Sequence, residues 1–142
     1  MEYHIHTDGG SRGNPGAAAV GFVIEGADIG KKEYGEVIGH TTNNVAEYSA
    51  VIHALNKLKQ LAGTDKTKRA KVKVSTDSEL LVKQMTGKYK IKDPGMQKLF
   101  IELWNLQLDF GSVKWYHVPR EQNKDADRMV NHALDKQADR LI

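Results

Sequence analysis

The chain has 142 residues, a length that argues for one domain built around a single hydrophobic core. Hydrophobic residues make up 39% of the sequence and charged residues 27%, which is ordinary for a globular protein and excludes a fibrous or low-complexity chain. The formal net charge is +3, a mild basic bias that is compatible with a polyanionic partner but does not identify one.

Cysteine is absent from the sequence, which excludes disulfide bonds, thiolate catalysis and zinc sites built on cysteine. No segment approaches the ~20 consecutive apolar residues that a membrane-spanning helix needs, and no signal peptide is apparent. We therefore expect a cytoplasmic protein that does not cross or bind a membrane.

Three strands are predicted in the first third of the chain. Residues 3–8 alternate apolar and polar side chains, which predicts a strand. The stretch 9–16, GGSRGNPG, is dense in turn-forming residues and predicts a loop. Residues 17–26 and 30–40 predict two further strands joined by a short polar link, so this third is expected to form an antiparallel meander.

Helices and strands alternate in the rest of the chain. Helical spacing predicts helices over 41–63, 78–87, 94–111 and 121–142, and strands are predicted over 71–77 and 112–118. Strands that follow helices commonly run parallel to a neighbour. The sequence therefore predicts an α/β fold with a mixed five-stranded sheet, three antiparallel strands and then two parallel ones, flanked by helices. Residues 1–142 are expected to form a single domain.

Four acidic residues lie at strand ends or at the head of apolar helix stripes. Asp8 and Asp77 end predicted strands, whereas Glu47 and Asp127 lie near helix starts. The stripe from Glu47 continues through Val51, Leu55 and Leu58, and the stripe from Asp127 continues through Val130, Leu134 and Leu141. Asn123 is the expected cap of the last helix. If the strands are neighbours, the four carboxylates meet at one edge of the sheet.

Each acid alone has an ordinary explanation, as a turn-forming residue or as a carboxylate favoured by a helix dipole. Four carboxylates together repel one another unless cations share them. Oxygen ligands favour Mg²⁺ or Mn²⁺ over zinc. Two such ions about 3.5–4 Å apart are the usual device for displacement at a phosphodiester.

Two other kinds of site fit the sequence less well. His4 and His6 suggest a zinc hydrolase with Asp8, but the remaining histidines show no ligand spacing. The stretch GGSRGNPG lacks the lysine and the following helix of a nucleotide-binding loop. A binding protein without catalytic activity, or a related two-metal nuclease or integrase, stays open as an alternative.

The motifs around the four acids are TDGGSRGNPG, TTNNVAEYSAVIHAL, VSTDSELLVKQMTG and HVPREQNKDADRMVNHALD. Their order and spacing resemble type 1 ribonuclease H, in its compact archaeal and bacterial branch, over essentially the whole chain. The resemblance implies a monomeric endonuclease that hydrolyses the RNA strand of RNA–DNA hybrids and leaves 5′-phosphate and 3′-hydroxyl ends.

The resemblance also implies a role for each group of residues. Two Mg²⁺ ions, with Mn²⁺ as a substitute, are expected on Asp8, Glu47, Asp77 and Asp127. Substrate binding is expected at Gly13, Asn14, Thr42, Asn43 and Asn44. The short basic segment GKYKIKD, residues 87–93, adds Lys88 and Lys90 as candidate contacts. Gly9 and Gly10 are expected to let the backbone of the hybrid approach Asp8.

Many members of that family carry a mobile histidine before the last aspartate as a catalytic helper. Counting back from Asp127 places Arg120 in that position, and His117 is the alternative. An arginine holds a phosphate but does not shuttle protons at neutral pH. Both residues are therefore candidate catalytic residues, with Arg120 favoured.

Overall fold

Residues 1–140 are described by a computed structural model, and five strands in it form one sheet. They are β1 (Glu2–Gly13), β2 (Gly16–Gly26), β3 (Gly30–Thr41), β4 (Lys71–Thr76) and β5 (Ser112–His117). The strand order is β3-β2-β1-β4-β5, with β1, β2 and β3 antiparallel and with β4 and β5 parallel to β1. The predicted mixed sheet is confirmed.

Five helices flank the sheet. They are α1 (Asn43–Ala62), α2 (Thr64–Arg69), α3 (Glu79–Met85), α4 (Pro94–Gln107) and α5 (Lys124–Arg140). Side-chain oxygens of Thr42, Ser78 and Asp93 accept backbone hydrogen bonds at the starts of α1, α3 and α4, which is why these helices begin there. None of the helices within residues 1–140 is long and apolar enough to cross a membrane.

The first strand is longer than predicted. Residues 9–13, expected to form a loop, continue β1 and pair with β2 as far as the Gly13–Gly16 pair. Only Asn14 and Pro15 remain in the turn. The prediction was wrong because it weighed the turn preference of each residue, whereas pairing with an adjacent strand satisfies the backbone hydrogen bonds of this stretch.

The helices depart from the prediction at three main places. The helix α2 was not predicted, since it has six residues and no apolar period. The helix α4 ends at Gln107, before Gly111. The last helix begins at Lys124 because a 3₁₀ turn occupies Arg120–Gln122. Leu141, predicted to belong to its apolar stripe, lies outside the described residues.

The two faces of the sheet bury different side chains. One face packs Ile5 and Val74 beneath α1, α3 and α4, and the predicted stripe Val51, Leu55 and Leu58 of α1 is buried there. The other face packs α5 on β2, β3 and β1. The predicted stripe residues Val130 and Leu134 of α5 are buried there, and they pack against Ala19.

The close approach of α5 to the sheet depends on a glycine. A Cβ atom at Gly21 of β2 would overlap the carbonyl oxygen of Ala126 and would lie 2.8 Å from the backbone nitrogen of Val130. Because neither backbone atom can move independently of the helix, the missing side chain fixes how deeply α5 sits. This contact also holds Asp127, the next residue after Ala126, at the edge of the sheet.

Candidate metal centre and nucleic-acid site

Two of the predicted acids lie at the same edge because their strands are parallel neighbours. Thr7 of β1 pairs in register with Thr76 of β4. Asp8 follows Thr7 on β1 and Asp77 comes directly after the last residue of β4, so the two acids lie side by side. Asp8 is buried, and the side chain of Asp77 is 13% exposed. The parallel pairing therefore confirms the expectation that these two residues meet.

A glycine brings the third acid to this edge. A Cβ atom at Gly9 would overlap the carbonyl of Ala46 and would lie 2.6 Å from the backbone nitrogen of Glu47. The helix α1 thus touches β1 through backbone atoms, which places Glu47 beside Asp8. The expectation that Gly9 gives room to a nucleic-acid backbone was wrong, because α1 fills that space. At Gly10, a Cβ atom would make an ordinary contact of 3.6 Å with Val130.

The three carboxylates form a compact oxygen cluster. Asp8, Glu47 and Asp77 each offer one oxygen, and these atoms all lie within 4.8 Å of one another. The Oε2 atom of Glu47 is buried and has no hydrogen-bond partner. An orphaned buried carboxylate oxygen next to two further carboxylates is costly unless a cation neutralises it. The residues therefore fit a divalent cation, and an oxygen-only donor set suits Mg²⁺ or Mn²⁺.

The fourth acid lies at the side of this cluster. Asp127 lines the same cleft as the other three acids, together with Asn43 and Asn44, but it is not in the group within 4.8 Å. It is carried by α5, on the opposite face of the sheet from α1. The structure brings all four predicted acids to one cleft and packs three of them closely.

Burial and mutual repulsion make the cluster hold protons tightly. Burial, followed by the charge of Asp77, raises the pKa of Asp8 to about 8. Burial also raises the pKa of Glu47 well above its ordinary value, with Asp8 and Asp77 adding to the rise. Such shifts cluster at functional sites. A bound cation reverses both effects because it favours the ionised carboxylates.

A buried asparagine links two sides of the cleft and was missed as a site residue. Asn123 Nδ2 donates to the carbonyl oxygen of Thr7 at 2.8 Å, and its own carbonyl accepts from the backbone nitrogen of Asp127 at 3.1 Å. The expected side-chain cap was wrong, because Asn123 Oδ1 has no hydrogen-bond partner. The residue instead ties the strand that carries Asp8 to the helix that carries Asp127. An asparagine before a helix carries no sequence signal of such a link.

Of the two candidate helpers, Arg120 lines the cleft, whereas His117 is not among its lining residues. Arg120 lines the cleft, with its Nε atom 3.7 Å from Asp77 Oδ2 and its side chain 84% exposed. His117 is exposed and shares the side of β5 that carries Trp115. Arg120 is thus the candidate that the structure places beside the acids.

The expected substrate residues cluster around the start of α1. Asn43 Oδ1 accepts from the backbone nitrogen and the hydroxyl of Ser11, at 2.9 and 3.0 Å, and the backbone nitrogen of Asn43 donates to Asn14 Oδ1 at 3.0 Å. Gly13 has a φ of 93°, which the tight turn to β2 requires. Thr42 caps α1 by accepting from Val45 at 3.3 Å. The β1–β2 turn and α1 are therefore held together next to the acids.

The basic segment after α3 lies apart from the residues that line the cleft. Its backbone is fixed by hydrogen bonds: the nitrogen of Lys88 donates to the carbonyl of Lys83 at 2.8 Å, and Gln84 Nε2 donates to the carbonyl of Lys90 at 3.4 Å. The side chains of Lys88 and Lys90 are exposed. These two lysines are held in place without touching the acids.

The histidines of β1 take no part in the carboxylate cluster. His4 Nε2 lies 2.9 Å from Ser75 Oγ, and the His4 and His6 rings are 4.3 Å apart. Burial lowers the pKa of His4, and the neighbouring His6 adds to the effect. Within residues 1–140 the carboxylate cluster is the one group suited to a metal ion, so the zinc interpretation finds no support.

A mixed sheet in the order β3-β2-β1-β4-β5, with Asp8 on the central strand β1 and Asp77 directly after the parallel neighbour β4, defines the ribonuclease H-like fold. Residues 6–133 match a family model described as reverse transcriptase-like. Together with the relatives described next, this match shows that the chain belongs to the type 1 ribonuclease H family.

Three relatives illustrate the similarity. The chain is 40% identical over 140 residues to a bifunctional protein of Mycobacterium tuberculosis, covering 97% of this chain and 37% of that protein. It matches the structure of RNase H1 from Halobacterium salinarum with 38% identity and a TM-score of 0.87, covering 96% and 99% of the two chains. It matches LC11-RNase H1, solved in complex with an RNA/DNA hybrid, with 42% identity and a TM-score of 0.88, covering 96% and 99%. The chain thus spans just over a third of the mycobacterial protein.

Proposed function

We propose that this chain hydrolyses the RNA strand of RNA–DNA hybrids endonucleolytically and leaves 5′-phosphate and 3′-hydroxyl ends. The observation that carries the proposal is the cluster of Asp8, Glu47 and Asp77 within 4.8 Å, with Asp127 on the same cleft. Membership of the type 1 ribonuclease H family supports the choice of substrate, as does a related structure that contains an RNA/DNA hybrid.

The four acids are proposed as ligands of two Mg²⁺ ions, with Mn²⁺ as a substitute. When bound, such ions activate a water molecule and stabilise the leaving oxygen of a phosphodiester. Asp8 contributes a largely buried carboxylate, and Glu47 contributes a buried oxygen, Oε2, whose charge a bound ion would neutralise. Asp77 and Asp127 line the same cleft and complete the set of acids to which a phosphate would bind through the ions. Arg120 supplies a positive charge there and is proposed to hold the phosphate.

Recognition of RNA is proposed for the loops around the start of α1. Asn43 and Asn44 line the cleft with the acids, and Asn14, next to Gly13 in the β1–β2 turn, accepts a hydrogen bond from Asn43. Hydrogen bonds from such groups to 2′-hydroxyls distinguish RNA from DNA. Thr42 lies at the helix N-terminus, which favours a phosphate of the DNA strand. The fixed, exposed Lys88 and Lys90 are proposed to contact further phosphates of that strand.

The proposal is tested with a labelled RNA–DNA hybrid. We expect cleavage of the RNA strand with Mg²⁺ or Mn²⁺ and little action on single-stranded RNA or double-stranded DNA. Asp77→Asn is expected to lower kcat by at least about 10³-fold while leaving the melting temperature of the protein near that of the wild type. An intact hybrid after incubation of the wild type with either ion would contradict the proposed activity.

The role of Arg120 is tested against that of His117. Because Arg120 lies 3.7 Å from Asp77 whereas His117 shares a side of β5 with Trp115, we expect Arg120→Ala to lower kcat about tenfold or more and His117→Ala to lower it less than threefold. Arg120→Lys should restore part of the loss if the charge matters more than the planar geometry. A larger loss in His117→Ala would reassign the helper.

Three further properties are proposed with the activity. Residues 1–142 form a single domain, the chain is monomeric, and it acts in the cytoplasm. Light scattering on the purified chain measures the oligomeric state, and a mass of about twice that of the chain would contradict the second property.

A further inference from the structure

The face of the sheet that α5 partly covers carries a second group of polar side chains, outside the residues that line the cleft. Alternation along the strands places His4, His6, Lys71, Lys73, Lys114 and Tyr116 on this face, opposite to the core residues Ile5, Val74 and Trp115. We call these six residues the open face. In register, His4, Lys73 and Lys114 form one row across β1, β4 and β5, and His6, Ser75 and Tyr116 form the next.

The open face remains accessible because α5 covers the other half of the sheet. The helix packs on β1, β2 and β3, whereas Lys71, Lys73 and Lys114 on β4 and β5 are exposed and Tyr116 is 41% exposed. Among residues 1–140, none of these three lysines forms an ion pair. Three lysines without ion pairs among the described residues and an exposed ring therefore share one accessible surface of the sheet.

The chemistry of the open face matches a flexible polyanion that carries flat rings. Successive rows lie about 6–7 Å apart, since each strand residue advances ~3.3 Å. The lysines offer charge to phosphates, and the ring of Tyr116 offers a surface on which an unpaired base can stack. A duplex keeps its bases inside and cannot use the ring. Glu2 and Glu25 also lie on this face, at the start of β1 and on β2, and Glu121 and Asp125 line a hollow together with His6. The positive charge is therefore concentrated along β4 and β5, away from His6.

The open face leads directly to the acids. Ser75, in the row of Tyr116, lies two residues before Asp77 on β4, and His6 lies two residues before Asp8 on β1. A single-stranded nucleic acid that leaves the cleft along β4 would therefore meet Tyr116 first and then the row of Lys73 and Lys114. We propose that the open face binds single-stranded nucleic acid, such as the unpaired tail of a substrate held in the cleft. The origin of the tail rests on the proposed function, whereas the binding itself does not.

Binding is measured by fluorescence anisotropy with a labelled 12-nucleotide oligo(dT), without divalent ions, so that no cleavage is required. We expect the double variant Lys73→Gln/Lys114→Gln to raise Kd about tenfold at low salt. It should also lower the slope of log K against log salt by about 1.4, since each phosphate contact on a single strand contributes ~0.7. The matched control Lys98→Gln/Lys136→Gln removes the same charge from exposed positions on α4 and α5 and is expected to stay within twofold of the wild type.

Stacking is tested with an abasic oligonucleotide of the same length. The wild type is expected to bind oligo(dT) about fivefold or more tightly than the abasic oligonucleotide. Tyr116→Ser should make the two Kd values equal. Asp8→Asn, inactive if the proposed function holds, is expected to bind oligo(dT) at least as tightly as the wild type. Thermal melting verifies that each variant is folded.

Three results would overturn the proposal. One is a Kd for the open-face variant within twofold of the wild type. Another is an equal loss in the control variant. The third is displacement of oligo(dT) by poly-glutamate at equal charge concentration, because that would mark the open face as a site for acidic polypeptides.

Discussion

Asp8 is buried among other carboxyl groups, and this position has a cost in the metal-free protein. Its pKa is raised to about 8, chiefly by burial and by the charge of Asp77, from an ordinary value of 3.8. The unfolded chain therefore releases this proton at a lower pH than the native protein does. The free energy of unfolding contributed by Asp8 is largest below pH 4 and falls as the pH rises towards 8.

Asp8→Asn is expected to remove this pH dependence. An asparagine has the same shape and no charge, so at pH 8.5 without divalent ions the variant should be more stable than the wild type by about 2–4 kcal/mol. Near pH 4 the two proteins should have similar stability. The measurement is urea unfolding of both proteins at the two pH values.

Mg²⁺ provides the control for this prediction. Adding the ion at pH 8.5 should raise the melting temperature of the wild type, because a ligand that binds only the native state stabilises it. The same addition should have a much smaller effect on Asp8→Asn. A variant less stable than the wild type at pH 8.5 would show that the Asp8 carboxylate is stabilised by contacts other than those described.

At the scale of single residues, the sequence was most informative where a residue conflicts with its pattern. Glu47 and Asp127 head apolar stripes, and Asp8 and Asp77 end the strands that the sequence predicts, so all four could be selected without a structure, although β1 in fact continues past Asp8 to Gly13. Asn123 could not be selected. Its function in the fold is a hydrogen bond to Thr7, and a contact between residues so far apart in the chain leaves no local pattern.

The contact between β1 and α1 is the element-scale feature on which the site depends. The strand and the helix touch through backbone atoms at Gly9, next to both Asp8 and Glu47. Gly9→Ala would force a Cβ into the carbonyl of Ala46, and α1 cannot retreat without losing its buried contacts. We expect a loss of about 2–4 kcal/mol in the free energy of unfolding, measured with urea.

Gly10→Ala is the matched control for Gly9→Ala. It is one residue away on the same strand, and its Cβ would meet Val130 at an ordinary 3.6 Å. A change of less than about 1 kcal/mol is expected. Equal destabilisation by the two substitutions would mean that the effect comes from strand propensity at this end of β1 and not from the helix contact.

Strands and helices with a clear hydrophobic period were predicted well, whereas the structure of the remaining segments depends on tertiary contacts. Strands β2 to β5 and helix α1 agree with their predicted ranges within one or two residues at each end. The stretch 9–13 has the composition of a loop but forms a strand because it pairs with β2, and one of its glycines, Gly9, is required where α1 approaches. The helix α2 has no apolar period that could have revealed it.

At the scale of the whole molecule, the central strand β1 joins both layers of helices. It packs against α1 on one face and α5 on the other, and it pairs with β2 and β4. We therefore predict that the chain unfolds in one cooperative transition. Far-ultraviolet circular dichroism and the fluorescence of Trp104 and Trp115 should give coincident urea curves. Two separated transitions would contradict the proposal of a single domain.

The four acids come from positions 8, 47, 77 and 127, on β1, α1, the end of β4 and α5. During synthesis on a ribosome, a growing chain that has released β1, α1 and β4 still lacks the helix that carries Asp127. The four acids therefore come together only once α5 has emerged and folded. If they hold the metal ions as proposed, a fragment that ends before α5 is expected to bind Mg²⁺ more weakly than residues 1–142 do.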